Sequence, residues 1–209
     1  MHLKGKIVLG LAVLFLIGLI GLAVLIKEKP GVLPEVPGLP KKTQANIGEV
    51  VDEFNGVKVF YNGSVDHVAG RNRAPDGYNL GLKYQCVEFV KRYYYERLGH
   101  KMPNSYGHAK DFFNGALKDG QRNADRGLIQ FSNPSKSKPK AEDLLVFDGW
   151  MGNPFGHVCI ISRVGEDELE IVQQNPGVWG SSRERYGLSF EDGKWEIESG
   201  RILGWLRRP

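Results

Sequence analysis

The apolar positions of this chain follow three different patterns. From Ile7 to Ile26 every residue is apolar or glycine. At about 1.5 Å per residue such a run crosses a hydrocarbon core of roughly 30 Å, which predicts one membrane-spanning helix. The run ends in Lys27-Glu28-Lys29 without a small-residue cleavage site, so residues 1–29 read as an uncleaved anchor. Pro30, Pro34, Pro37 and Pro40 then predict an extended stalk over residues 30–46, long enough to hold a domain as much as roughly 60 Å from the membrane. The folded domain is expected over residues 47–209. In it Val87, Val90, Tyr94 and Leu98 recur at helical spacing and Gly99 stops the helix, which begins near Cys86. Ser105 can cap a second helix running to about Phe113, with Ala109, Phe112 and Phe113 inward. Beyond it the pattern shortens to strand-like runs at 143–147, 157–162, 168–173, 194–197 and 202–206, after shorter ones at 57–61 and 128–131. Helices followed by an antiparallel sheet make the domain α+β.

Composition narrows this picture. The chain has 209 residues, 41% hydrophobic and 25% charged, with a formal net charge of +4. Lys4 and Lys6 precede the apolar run, so the rest carries only about +2. That balance argues against nucleic acid. Arg71 and Arg73, Lys136 to Lys140, and Arg207 with Arg208 share no helix and no interleaved aromatic run, and they read as solvated surface. Lysines flank both ends of the apolar run almost equally, so charge leaves the orientation open. With only Cys86 and Cys159 there is no disulfide framework, and both thiols are expected to be free.

Cys86 stands where a polar, glycine-containing segment becomes a helix. There the unsatisfied N–H groups and the helix dipole lower a thiol pKa and make a nucleophile. By itself a lone cysteine is more often a small buried core residue. His157, which follows Gly156 and opens the strand-like run Val158-Cys159-Ile160-Ile161-Ser162, changes the weighting. A cysteine at a helix start and a histidine on a later strand suit papain-like chemistry, in which the partners meet in space. A His157-x-Cys159 metal pair has no further ligand cluster beside it, so Cys159 reads as core and no metal or other cofactor is expected.

The segments Tyr84-Gln85-Cys86-Val87-Glu88-Phe89, Asp143 to Asp148, Gly156-His157-Val158 and Val172-Gln173-Gln174-Asn175 resemble, in order and spacing, the motifs of the CHAP family of cysteine- and histidine-dependent amidohydrolases/peptidases. The closing Ile202-Leu203-Gly204-Trp205 is most similar to the glutathionylspermidine synthetase/amidase branch. The resemblance covers roughly residues 50 to 206 and implies a papain-like fold with N-terminal helices packed on an antiparallel sheet. Relatives with the amidase pattern usually have glutamate where Gln173 stands.

The third member of the site also follows from the hairpin near Gly165. An odd loop centred there opposes His157 to Gln173, Cys159 to Ile171 and Ile161 to Leu169, and leaves Val158, Ile160 and Ser162 on a wetter face. On this reading Cys86 attacks a carbonyl to form a thioester, His157 shuttles the proton, and Gln173 orients the ring. The backbone N–H of Cys86 is the natural oxyanion donor. Gln174→Ala is expected to be nearly silent and Gln173→Glu to keep or raise activity. Asn175 is a second candidate for the orienting role. Gln85 is a supporting candidate beside the thiol, and Asp148 is either a turn residue or part of the substrate rim.

Anchor and stalk favour a single-pass protein of the cell inner membrane whose extracytoplasmic domain cuts amide bonds in peptidoglycan. A domain facing the cytoplasm suits instead an amidase on a small glutathione–polyamine conjugate. Gln173 also leaves open an inactive binding module that retains the fold.

Overall fold

The computed structural model describes residues 45–209, so the expected anchor, and the stalk as far as residue 44, lie outside the described residues. No helix among the described residues is long and apolar enough to cross a membrane.

The domain is built round one helix, α1 (Cys86–Leu98), which ends at Gly99 in the left-handed conformation (φ 60°) with its N–H on Tyr94 O. The apolar stripe predicts a helix with one buried face. Instead Cys86 and every residue from Glu88 to Tyr94 are buried, including Glu88, Lys91 and Arg92. Two hairpins flank the helix: β1 (Val50–Phe54) with β2 (Val57–Phe60), and β3 (Arg71–Arg73) with β4 (Asn79–Leu82). Gly81 makes the second crossing possible, because a Cβ there would lie 3.1 Å from the Glu88 Cα.

The third side of α1 rests on an antiparallel sheet of eight strands. These are β5 (Arg122–Asn123), β6 (Leu128–Ser132), β7 (Leu144–Phe147), β8 (His157–Val164), β9 (Glu168–Val172), β10 (Arg183–Glu191), β11 (Lys194–Ile197) and β12 (Ile202–Arg207). Their spatial order is β11-β10-β9-β8-β7-β12-β6-β5. Val158, Ile160, Val172, Leu144 and Val146 pack under α1. Cys159, Ile161, Ile171, Leu145 and Phe147 form a second core with Leu188, Ile197 and Trp205 on the other face. The expected wetter face is therefore the one the helix covers, and both sides of the central strands are dry.

The β8–β9 hairpin departs from the expected register twice, and the departures cancel. Its turn is even: Gly165 N–H donates to Glu168 O at 2.7 Å, which leaves Glu166 and Asp167 at the tip. Val164 then opposes Leu169 and Arg163 opposes Glu170. A bulge at Ser162 restores the parity, so Ile161 opposes Ile171 and Ile160 opposes Val172. The face assignment survives, but beyond the bulge every partner is displaced by two residues from the odd-loop pairing.

The second expected helix is only a 3-10 turn at Lys110–Phe112, although Ala109 and Phe112 are buried as the pattern requires. Its backbone acceptors are taken by side chains. Arg126 donates to the carbonyls of Asn104, Tyr106 and Asp111, and Lys91 to that of Ser105. A helix needs those oxygens for its own N–H groups. Arg207, expected at the surface, is half-buried and pairs through two nitrogens with Asp143 at 2.8 and 2.7 Å.

Candidate active site

Cys86 and His157 line one cleft of about 470 Å³, a volume ordinary for a small-molecule site. The thiol is the first residue of α1, and His157 is the first of β8, preceded by Gly156 with φ 74°. Glycine is required there: a Cβ would lie 2.5 Å from the Phe147 carbonyl oxygen. The thiol sits against the backbone N–H of Val158, the residue after the histidine, and also meets the N–H groups of Val87 and Cys86.

Gln85, the residue before the helix, makes no side-chain cap. Its amide donates instead to Val65 O (3.0 Å) and His67 O (2.7 Å), and its oxygen accepts from Asn175 Nδ2 (2.8 Å). Gln85 and Asn175 thus fasten the loop at 65–67 to the helix start. Neither is placed to orient His157. Asp148 is exposed, accepts from Gly149 N–H at 2.7 Å and does not line the cleft. It is a turn residue.

Gln173 does reach the histidine, from a diagonal position and not from the directly opposed one. Its Oε1 lies 2.8 Å from His157 Nε2. The amide orientation is fixed on its other side, where Nε2 donates to Ser181 O (3.0 Å) and Glu184 Oε2 (3.2 Å), both acceptors. The oxygen must then face the ring, which places the proton on His157 Nε2 and leaves Nδ1 with a free lone pair.

Gln174, expected to turn away, does so into a buried polar cluster. It accepts from Phe60 N–H (2.9 Å) and donates to Gln85 O (3.1 Å) and Glu88 Oε2 (2.8 Å). Glu88 in turn receives Arg92 Nε and Asn72 Nδ2, each at 2.7 Å. The end of β9 is thereby tied to the first turn of α1, which sets the thiol and the histidine's partner in one frame. A single-sequence pattern contains no signal for this cluster beyond a carboxylate four residues before an arginine.

Electrostatics correct one expectation. Burial pushes the Cys86 thiol up, and the three N–H groups offset this only in part. Burial also pulls His157 down to about 4 against the hydrogen bond to Gln173, with Arg201 adding to the fall. The resting pair is a neutral thiol and a neutral imidazole. The helix start does not by itself make a thiolate here.

The rim carries Val65, Val68, Tyr106 and Phe155, all exposed, and the charged Asp66 and Arg71. Lys91 and Arg126 hold the loop bearing Tyr106 from below. Lys91 binds Ser105 O (2.8 Å) and Asn79 O, and burial lowers its pKa to about 8.

The CHAP domain family matches residues 76–175, a segment that contains Cys86, His157 and Gln173. That stretch is a CHAP domain. The chain is a cysteine-dependent amidohydrolase/peptidase by class, on an α+β CHAP domain with one helix against a large antiparallel sheet. Similar proteins include trypanothione synthetase of Crithidia fasciculata, 29% identical over 180 residues, which are 81% of this chain and 28% of that one. Glutathionylspermidine synthase of the same organism is 30% identical over 142 residues, 61% of this chain and 19% of its own length. The bifunctional glutathionylspermidine synthetase/amidase of Escherichia coli (strain K12) is 29% identical over 152 residues, 68% and 24% of the two chains. This CHAP protein therefore spans about a fifth to about a quarter of the length of these relatives.

Proposed function

We propose that the chain is an amidase that splits the amide joining a peptide carboxyl group to a polyamine, a conjugate of the glutathionylspermidine type. The carrying observation is the His157 ring, bound through Nε2 to Gln173 and free at Nδ1 in the cleft that Cys86 lines. The named relatives, among them a glutathionylspermidine synthetase/amidase, supply the substrate class. His157 Nδ1 takes the Cys86 proton as the sulfur adds to the carbonyl carbon, and the oxyanion meets the Cys86 backbone N–H. The imidazolium returns the proton to the amine nitrogen, the C–N bond breaks, and a thioester remains. Water, deprotonated by His157, then releases the acid and restores the thiol. Arg71 and Asp66 at the rim suit a substrate with a carboxylate on its acyl part and a cation on its amine.

A second reading keeps an anchored endopeptidase or amidase acting on peptidoglycan. It is favoured by the apolar run from Ile7 to Ile26 and the proline-rich segment after it, and it places the domain outside the inner membrane. Incubation of the full chain with glutathionylspermidine and, separately, with purified muropeptides separates the two. Release of spermidine with no new muropeptide amine, read by mass spectrometry, is the expected result. Cleavage of muropeptides alone overturns the first reading in favour of the second.

A further inference from the structure

Gln173 stands where a carboxylate would stabilise the imidazolium better, yet a carboxylate is one hydrogen bond away. Glu184 lies on β10, which pairs with β9 so that Glu184 directly opposes Ile171. Its residue parity is that of Tyr186 and Leu188, and it therefore shares the sheet face of Ile171 and Gln173. Its Oε2 accepts from Gln173 Nε2 at 3.2 Å, while Gln173 Oε1 accepts from His157 Nε2 at 2.8 Å. Cys159 and the Tyr186 hydroxyl are the other titratable groups beside the Glu184 carboxylate, Arg201 is the one that faces the His157 ring, and Cys159 the one that faces the Cys86 thiol. We infer that Glu184 is a positioning residue that acts on His157 through the Gln173 amide.

The reason is the polarisability of an amide. A carboxylate on its N–H side draws the nitrogen proton and increases negative charge on the oxygen, so each bond of the chain strengthens the next. When His157 becomes imidazolium, that more negative oxygen and the Glu184 charge behind it both favour the new cation. The glutamine also has a positional reason. With Glu184 and the Ser181 carbonyl on its far side, a carboxylate at position 173 loses two donors and faces a like charge. Gln173→Glu alone should therefore lower activity, which reverses the expectation from sequence.

This inference rests on the proposed Cys86–His157 chemistry, and the test keeps the two apart. Four full-length proteins are compared: the parent, E184Q, Q173E and the exchange Q173E/E184Q, in which a glutamine at 184 can donate to a glutamate at 173. The expected kcat/KM is roughly three- to tenfold lower for E184Q and lower still for Q173E, and within about threefold of the parent for the exchange. The His157 Nε2–H proton resonance, read by NMR at neutral pH without substrate, should move upfield in E184Q and return in the exchange. A purely structural role for Glu184 would leave that resonance in place. Unchanged kcat/KM and resonance in E184Q, or single losses that simply multiply in the exchange, overturn the relay. If the parent releases no amine from any substrate, the proposed function fails, and the resonance still decides the relay.

Discussion

At the scale of single residues, burial sets the order in which the two thiols react. Cys159 is fully enclosed between Ile161, Ile171 and Leu145, and burial raises its pKa well above the ordinary thiol value. Cys86 is 8% exposed, opens on the cleft and has three N–H groups beside it. Iodoacetamide at neutral pH should alkylate Cys86 first, as read by peptide mass mapping, and Cys86→Ala should abolish turnover; equal labelling of both thiols contradicts this. The pH dependence follows from His157, lowered from 6.5 to about 4. A neutral imidazole is the form that takes the proton, so kcat/KM should hold down to about pH 4 rather than fall near 6.5. The folded state resists a proton that the unfolded chain accepts. Stability from this group is thus complete above about 6.5 and is lost as the pH falls towards 4. Thermal melts of the parent and of His157→Gln should diverge in that window, with the variant losing less of its Tm on acidification.

At the scale of elements, adjacent glutamines at the end of β9 do different jobs. Gln173→Ala removes the acceptor of a group that becomes charged, an effect of about 1.5–3 kcal/mol, or roughly ten- to hundredfold in kcat/KM. Its melting temperature should change little. Gln174→Ala leaves the Phe60 N–H without its acceptor and takes from Glu88 Oε2 its shorter donor, with only Arg92 Nη2 remaining at 3.4 Å, so it should cost about 1–3 kcal/mol of stability in denaturant melts. A stable Gln174→Ala would mean that water replaces the amide. The sequence reading makes Gln174 nearly silent because alternation says which face a side chain takes and nothing about what waits there. Glu88 is 86 positions away along the chain. Cys86, His157 and seven of the strands were legible because each carries a local mark: a helix start, a glycine, or a short apolar run. The second helix was not, since the side chains that claim its carbonyls, Lys91 and Arg126, come from other elements. The run at β10 alternates Tyr186, Leu188 and Phe190 with polar positions, but Gly187 interrupts it, and Glu184 was hidden with it.

At the scale of the whole molecule, the two readings of the substrate differ in the side of the membrane on which the cleft must open. Lys4, Lys6 and the amino terminus ahead of the apolar run face Lys27 and Lys29, then Lys41 and Lys42, behind it, so charge alone does not choose. The substrate would choose, because a conjugate split in the cytoplasm needs a cleft that faces inward and the peptidoglycan wall needs one that faces outward. If the conjugate reading is right, the domain faces inward, and protease added to intact spheroplasts should leave residues 45–209 uncut until the membrane is lysed. A rim variant carries the same question to the site. Arg71 makes no ion pair among the described residues, its guanidinium being held only by Asn79 Oδ1 at 2.9 Å, so it is available to a substrate carboxylate. Arg71→Ala should raise KM for the conjugate by about tenfold, the usual scale for one charge-assisted hydrogen bond, with kcat little changed because the contact lies away from the reacting carbonyl. An unchanged KM, or a loss confined to kcat, would show that Arg71 does not hold the substrate. Protease release from intact spheroplasts together with an unchanged KM would turn both the compartment and the rim towards the wall.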